Sequence, residues 1–177
     1  MQVSRDTQRG QSMAFLNEEQ EALANDIAGL LTGRGETVCV AEATAGGLVS
    51  AALLWVPGAS KYYAGGGVVY TLNSRTALAG ITPLDPATYK GTTAAMVAEM
   101  AESLRQRLGS TWCIAESGLA GPTSGRSGAA PGRVNIAVAG PVRRAETIES
   151  GTADRTENMI LFTTLSLRML RDAIRSA

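Results

Sequence analysis

At 177 residues the chain is long enough for one domain with a substantial core, and its 45% apolar and 18% charged residues are a globular composition rather than that of a disordered chain. Sixteen basic and sixteen acidic side chains cancel and lie scattered, which argues against a nucleic-acid surface. There is no histidine, which excludes Ser-His-Asp triads, Cys-His pairs and histidine-ligated metal sites and leaves hydrolysis to a Ser–Lys or Thr nucleophile or to paired carboxylates.

Met1 to Gln11 is polar and lacks the apolar stretch of a secretory signal, so residues 1–16 are expected to be a flexible tail and 17–177 one domain. Asn17-Glu18-Glu19-Gln20 has the form of a capping box, and Leu23, Ile27, Leu30 and Leu31 recur at helical spacing until Gly33 and Gly35. Thr37 to Ala41 reads as a strand, Glu42 to Gly47 as a glycine turn, and Leu48 to Val56 as a helix closed by Pro57-Gly58. Gly65-Gly66-Gly67 is expected to lead into a strand at 68–71, followed by a short helix over 74–79 and a turn at Asp85-Pro86.

Thr93 is a plausible N-cap for a helix whose face is Val97, Met100, Ala101, Leu104 and Leu108. Thr111 to Ala115 reads as a buried strand entering a long loop over 116–132. Residues 133–139 and 142–148 read as a hairpin around Gly140-Pro141, and a last helix starts near Asp154. Helices interleaved with short apolar strands predict an α/β fold with a mixed sheet covered by helices.

Cys39 and Cys113 sit in apolar runs and read as small buried hydrophobes. No run of 18 apolar residues occurs, so no membrane span is expected, and a reducing cytoplasm is the expected compartment. Trp55 and Trp112 are expected in the core.

Three glycine-rich segments, 42–47, 65–67 and 117–125, lie beside predicted strands. Ligands of open α/β sheets bind beyond the carboxyl ends of strands, where glycine lets backbone amides approach an anion and a helix N-terminus favours it. Gly46-Gly47 before a helix meets both conditions, although a tight turn explains each glycine pair equally well.

The segments 41–48, 56–60, 66–70 and 117–122 (Ala41-Glu42-Ala43-Thr44-Ala45-Gly46-Gly47-Leu48, Val56-Pro57-Gly58-Ala59-Ser60, Gly66-Gly67-Val68-Val69-Tyr70 and Ser117-Gly118-Leu119-Ala120-Gly121-Pro122) resemble the CinA C-terminal domain family, in its order and spacing. That family includes bacterial nicotinamide mononucleotide (NMN) deamidases. The resemblance implies a three-layer α/β/α sandwich, often self-associating, here without the molybdopterin-binding-like domain that precedes it in longer members. It further implies a small anionic ligand, a pyridine mononucleotide among them, and neither metal nor cofactor. Active members resemble serine amidohydrolases that convert NMN to nicotinic acid mononucleotide and ammonia, with a motif A-E-S-x-T-G-G whose serine is activated by the tyrosine and lysine of Y-S-N-x-x-K.

This chain departs at the decisive positions. Ala43 replaces the serine, Ala45 the threonine and Arg75 the lysine, while Tyr70 is retained. Alanine has no nucleophile and arginine cannot act as a base, so the resemblance points to a catalytically impaired, ligand-binding homologue, with an active enzyme of rearranged site as the alternative.

The candidate catalytic residues are then Tyr70, Arg75 and Thr44. The candidate ligand-binding residues are Glu42, Ala43, Ala45, Gly46, Gly47, Ser117, Gly118, Gly121 and Arg155, the last by its match to the family's D-R pair. Each has a plainer reading. Thr44 is a displaced nucleophile or bonds backbone; Arg75 neutralises a ligand or lies on a solvated helix face; Arg155 holds a phosphate or pairs with Asp154 or Glu157. Glu42 is read as a loop anchor rather than an acid or base. Tyr62, Tyr63 and Tyr70 either stack on a ring or, for the first two, simply pack.

Overall fold

A computed structural model describes residues 15–125 and 128–177. The expected tail lies outside these residues, except for its last two, and so do Arg126 and Ser127 of the long loop. The elements run α1 (Glu18–Arg34), β1 (Val38–Glu42), α2 (Leu48–Trp55), a 3-10 turn (Ala59–Lys61), β2 (Tyr63–Val68), α3 (Leu72–Ser74) continued by a π-helical turn (Arg75–Ala79), α4 (Ala94–Leu108), β3 (Trp112–Leu119), β4 (Arg133–Ala139), β5 (Arg144–Glu149) and α5 (Arg155–Arg175). The strands form one sheet in the order β2-β1-β3-β4-β5. The first three strands are parallel, and β4 and β5 are antiparallel additions.

Helices cover both faces. On one side Val38, Val40, Trp112, Ile114, Val134 and Ile136 pack under α1, α2 and α5; on the other, Cys39, Ala41, Cys113, Ala115 and Ala137 pack under α4 and the π-helical turn. The alternation along each strand sorts its side chains between the two layers. This is the mixed three-layer α/β/α sandwich that the sequence implied.

Local chemistry sets the element ends. Asn17 Oδ1 accepts from the Gln20 amide and Gln20 Oε1 from the Asn17 amide, completing the capping box. Thr93 and Asp154 cap α4 and α5 through the Met96 and Glu157 amides. The turn at Asp85 is an Asx turn, with the Ala87 amide on Oδ1 at 2.8 Å. Cys39 and Cys113 are buried free thiols, facing each other in the β1–β3 register.

Two strands differ from expectation. The glycine triplet does not precede β2 but forms it, with Val40 opposite Gly66. A Cβ at Gly66 would lie 2.6 Å from the Val40 carbonyl oxygen, so the glycines mark close contact between strands rather than an anion loop. β3 runs on through Glu116-Ser117-Gly118-Leu119, read from sequence as loop, because β4 pairs with that stretch residue for residue.

Two apolar residues are also less covered than expected. Trp55 is half-exposed at the end of α2, off the buried stripe of Val49, Ala52 and Leu53. Leu108 is exposed at the end of α4, near Gly65 of β2. Tyr62 and Tyr63 pack in or against the core under α2. Among the described residues no helix is long and apolar enough to cross a membrane.

Candidate functional site

Glu42 ends β1 beside Glu116 of β3, which runs three residues further, and the two side chains lie on the same face of the sheet. Glu42 and Glu116 are direct partners in register and both are buried. Glu42 receives the amides at the start of α2: Gly47 and Val49 donate to Oε2 at 2.9 and 3.0 Å, and Ser50 donates its amide and hydroxyl to Oε1. Glu116 Oε1 receives the Ala43 and Ala45 amides, both at 2.7 Å.

The loop over 43–47 is therefore anchored by two carboxylates of the protein itself. Glu42 also supplies the acceptor for the orphan amides of a helix whose N-cap, Gly47, has no side chain to offer. Several of the amides that the sequence offered as a cradle for a ligand anion are thus already occupied.

Glu116 Oε2 is buried and has no hydrogen-bond partner among the described residues. Burial, reinforced by repulsion from Glu42 and opposed by the loop amides, pushes the Glu116 carboxyl up to about 7. Removing Glu42 should expose the debt at α2. At pH 5, where Glu116 is protonated, Glu42→Ala is expected to cost about 2 kcal/mol in urea unfolding, from buried amides losing their acceptor; an unchanged midpoint would count against the capping role.

On the opposite face of the sheet a cavity of about 760 Å³ opens between the strand ends, the π-helical turn, the 85–93 segment and the loop after β3. That volume lies in the range of small-molecule sites, roughly 300–1,000 Å³. Ala43 and Thr44 line it from the anchored loop, Tyr70 from the connection between β2 and α3, Arg75 from the π-helical turn that continues α3, and Ser117 and Gly118 from β3. Of the other sequence candidates, Glu42, Ala45, Gly46, Gly47, Gly121 and Arg155 do not line it. Arg155 is exposed and donates to the Gly121 carbonyl at 3.1 Å.

Arg75 is the centre of this cavity's chemistry. It is only 6% exposed and does not lie on a solvated helix face. Its guanidinium donates to the Val69 carbonyl, to Tyr89 Oη, to Thr92 Oγ1 at 2.9 Å and to Ser117 Oγ at 2.8 Å. All four acceptors are neutral, and no carboxylate pairs with it among the described residues. Asn135 braces the same wall, donating to the Thr92 carbonyl at 3.1 Å and accepting from Thr147.

Lys90 and Arg133 also line the cavity, and no Asp or Glu does among the described residues. A buried cation without a counter-charge is costly, so an oxyanion entering this cavity would supply what the protein omits. Thr44 Oγ1 accepts from the Gly118 amide at 2.6 Å, bonding backbone and bridging the loop to β3. Tyr70, 60% exposed, stands at the rim.

Residues 20–174 match the family model of the CinA C-terminal domain. The chain belongs to the CinA C-terminal domain family. It is 46% identical over 123 residues to a CinA-like protein of Prochlorococcus marinus (strain MIT 9313), covering 70% of this chain and 29% of that protein. It is 36% identical over 152 residues to one of Desulfosudis oleivorans, covering 85% and 37%. The chain thus spans about a third of the length of these CinA-like relatives.

Among solved structures, a competence or damage-inducible protein from Enterobacter asburiae superposes with a TM-score of 0.81 at 28% identity, covering 89% of this chain and 99% of that one. The competence/damage inducible protein CihA from Agrobacterium tumefaciens does so with 0.82 at 26%, covering 91% and 99%.

Sequence reading missed Glu116, Tyr89, Thr92, Lys90, Arg133 and Asn135. For Glu116 a signal exists: Cys39-Val40-Ala41-Glu42 is echoed by Cys113-Ile114-Ala115-Glu116, and the register aligns the two segments one to one. Tyr89 and Thr92 lie in an irregular stretch with no periodicity to read.

Proposed function

We propose that this CinA C-terminal domain is a catalytically impaired homologue of the NMN deamidases that binds a small anionic ligand of the pyridine mononucleotide class instead of hydrolysing it. The observation that carries the reading is the buried Arg75, without a carboxylate partner, in a cavity lined among the described residues by three cationic side chains and no acidic one. Two tyrosines on the lining, Tyr70 and Tyr89, offer aromatic surface for a ring.

Chemistry by the family's route lacks its parts. Ala43 presents a methyl group to the cavity, and Arg75, permanently protonated, stands where a lysine base would. Loss of a nucleophile costs on the order of 10⁶ in rate in a well-studied hydrolase. The alternative, an active amidohydrolase of rearranged site, would turn to Thr44. Its oxygen already accepts from Gly118, and no carboxylate or amine hydrogen-bonds it among the described residues. By its family resemblance we further propose that the chain self-associates and works in the cytoplasm.

Calorimetry with NMN and nicotinic acid mononucleotide is expected to give saturable binding, while a coupled ammonia assay at high protein concentration gives no release above the protein-free rate. The double variant Ala43→Ser/Arg75→Lys is expected to release ammonia from NMN. Ammonia release by the unaltered chain, abolished in Thr44→Val, would establish the alternative.

A further inference from the structure

The hydrogen-bond count around Arg75 goes further than an affinity for anions. Arginine only donates, so Tyr89, Thr92 and Ser117 all act as acceptors toward it. The three hydroxyls also contact one another in a row, Tyr89 to Thr92 at 2.6 Å and Thr92 to Ser117 at 3.2 Å. Each contact consumes one hydroxyl proton. One O–H is therefore left over at an end of the row, whichever way the row points. Arg75 gives its Nε N–H to Val69, turns Nη1 toward Tyr89 and Thr92 and gives one Nη2 N–H to Ser117, which leaves at least a second Nη2 N–H without a partner among the described residues.

The buried end of the cavity thus offers an N–H and an O–H surplus, one net positive charge and no counter-charge. That deficit is the size of one carboxylate. A carboxylate accepts a few hydrogen bonds and cancels one charge. A phosphate buried there would bring three terminal oxygens and up to two negative charges against one guanidinium charge, at a desolvation cost. The exposed cations of the same cavity, Lys90 and Arg133, suit a solvated phosphate better.

We propose that the Arg75–Ser117–Thr92–Tyr89 cluster is a carboxylate subsite, so that the cavity selects an aromatic carboxylic acid bearing a phosphate over the corresponding carboxamide. This rests on the ligand-binding reading above and assigns its specificity. A carboxamide can place its oxygen on the same donors but leaves the guanidinium charge uncompensated.

The test is calorimetry on the full chain with nicotinic acid mononucleotide and NMN, which differ only in that group, and with nicotinic acid riboside, which lacks the phosphate. The acid mononucleotide is expected to bind at least about tenfold more tightly than the amide. Arg75→Met, checked for folding by urea titration, should abolish that preference. Ser117→Ala, which keeps the guanidinium, should reduce it. Nicotinic acid riboside should bind more weakly but remain dependent on Arg75. Equal binding of acid and amide, or a preference for acid that survives Arg75→Met, overturns the carboxylate subsite and leaves the ligand-binding reading standing. A loss of phosphate dependence, rather than acid dependence, in Arg75→Met does the same by placing the phosphate at Arg75. Binding of none of the three overturns both.

Discussion

Glu116→Gln is expected to become more stable than the unaltered chain as pH rises, by about 3 kcal/mol at pH 8.5, while the two are nearly equal at pH 4.5. Burial pushes the Glu116 carboxyl up to about 7 in the folded chain, from an ordinary value of 4.5. A raised acid pKa means that the folded state keeps a proton that the unfolded state has released. Below about pH 4.5 both states are protonated and nothing is lost. Between about 4.5 and 7 the unfolded state alone ionises, and stability falls by about 1.4 kcal/mol per pH unit. Above about 7 both are ionised and the loss levels off.

Glutamine is a close mimic of the protonated acid at this position. Its oxygen can keep the Ala43 and Ala45 amides, and its nitrogen falls where Oε2 has no partner. The measurement is urea unfolding of both proteins at four or five pH values from 4.5 to 8.5. Other carboxylates do not blur the window. Glu102, held at about 2 by Arg105, and Glu19, lowered by Arg168, lose their contributions only as pH falls below the ordinary carboxylate range. A difference between variant and parent that stays flat with pH would show that Glu116 ionises normally in the fold.

The fold was legible because the chain punctuates itself clearly. Asn17, Thr93 and Asp154 cap where helices begin, apolar stripes give their faces, and two apolar runs give the central strands. It misled where glycine has a second use. Gly66 and Gly118 read as loop residues, yet both lie in strands at points where a neighbouring backbone comes too close for a Cβ. That closeness is a property of tertiary pairing and leaves no local periodicity.

The site was half legible for a related reason. The motif positions Ala43, Thr44, Tyr70, Arg75, Ser117 and Gly118 converge on one cavity. Their hydrogen-bond partners, Tyr89 and Thr92, come from an irregular segment whose role exists only once α4 has packed on the sheet. Nor does composition tell that Arg75 is buried among neutral acceptors, on which the proposed ligand binding turns.

Gly118→Val is expected to destabilise the domain by about 3 kcal/mol and to weaken any cavity ligand well beyond what that loss of stability implies. A Cβ at Gly118 would stand 2.3 Å from the Arg133 carbonyl oxygen and 2.9 Å from the Val134 Cα. Both obstacles are backbone atoms of β4, so no rotamer change clears them, and β3 and β4 must separate locally. The strain falls on two contacts at once. The Gly118 amide holds Thr44 at 2.6 Å and so ties the anchored loop to β3. The neighbouring Ser117 holds Arg75 on one side and, through its carbonyl, Asn135 on the other. Gly118→Ala should show the same effects in milder form, because the clash begins at Cβ. Urea unfolding gives the stability term, and ligand titration under conditions where both variants are folded gives the site term. Unchanged stability in the alanine variant would mean that β3 and β4 are not held at this spacing.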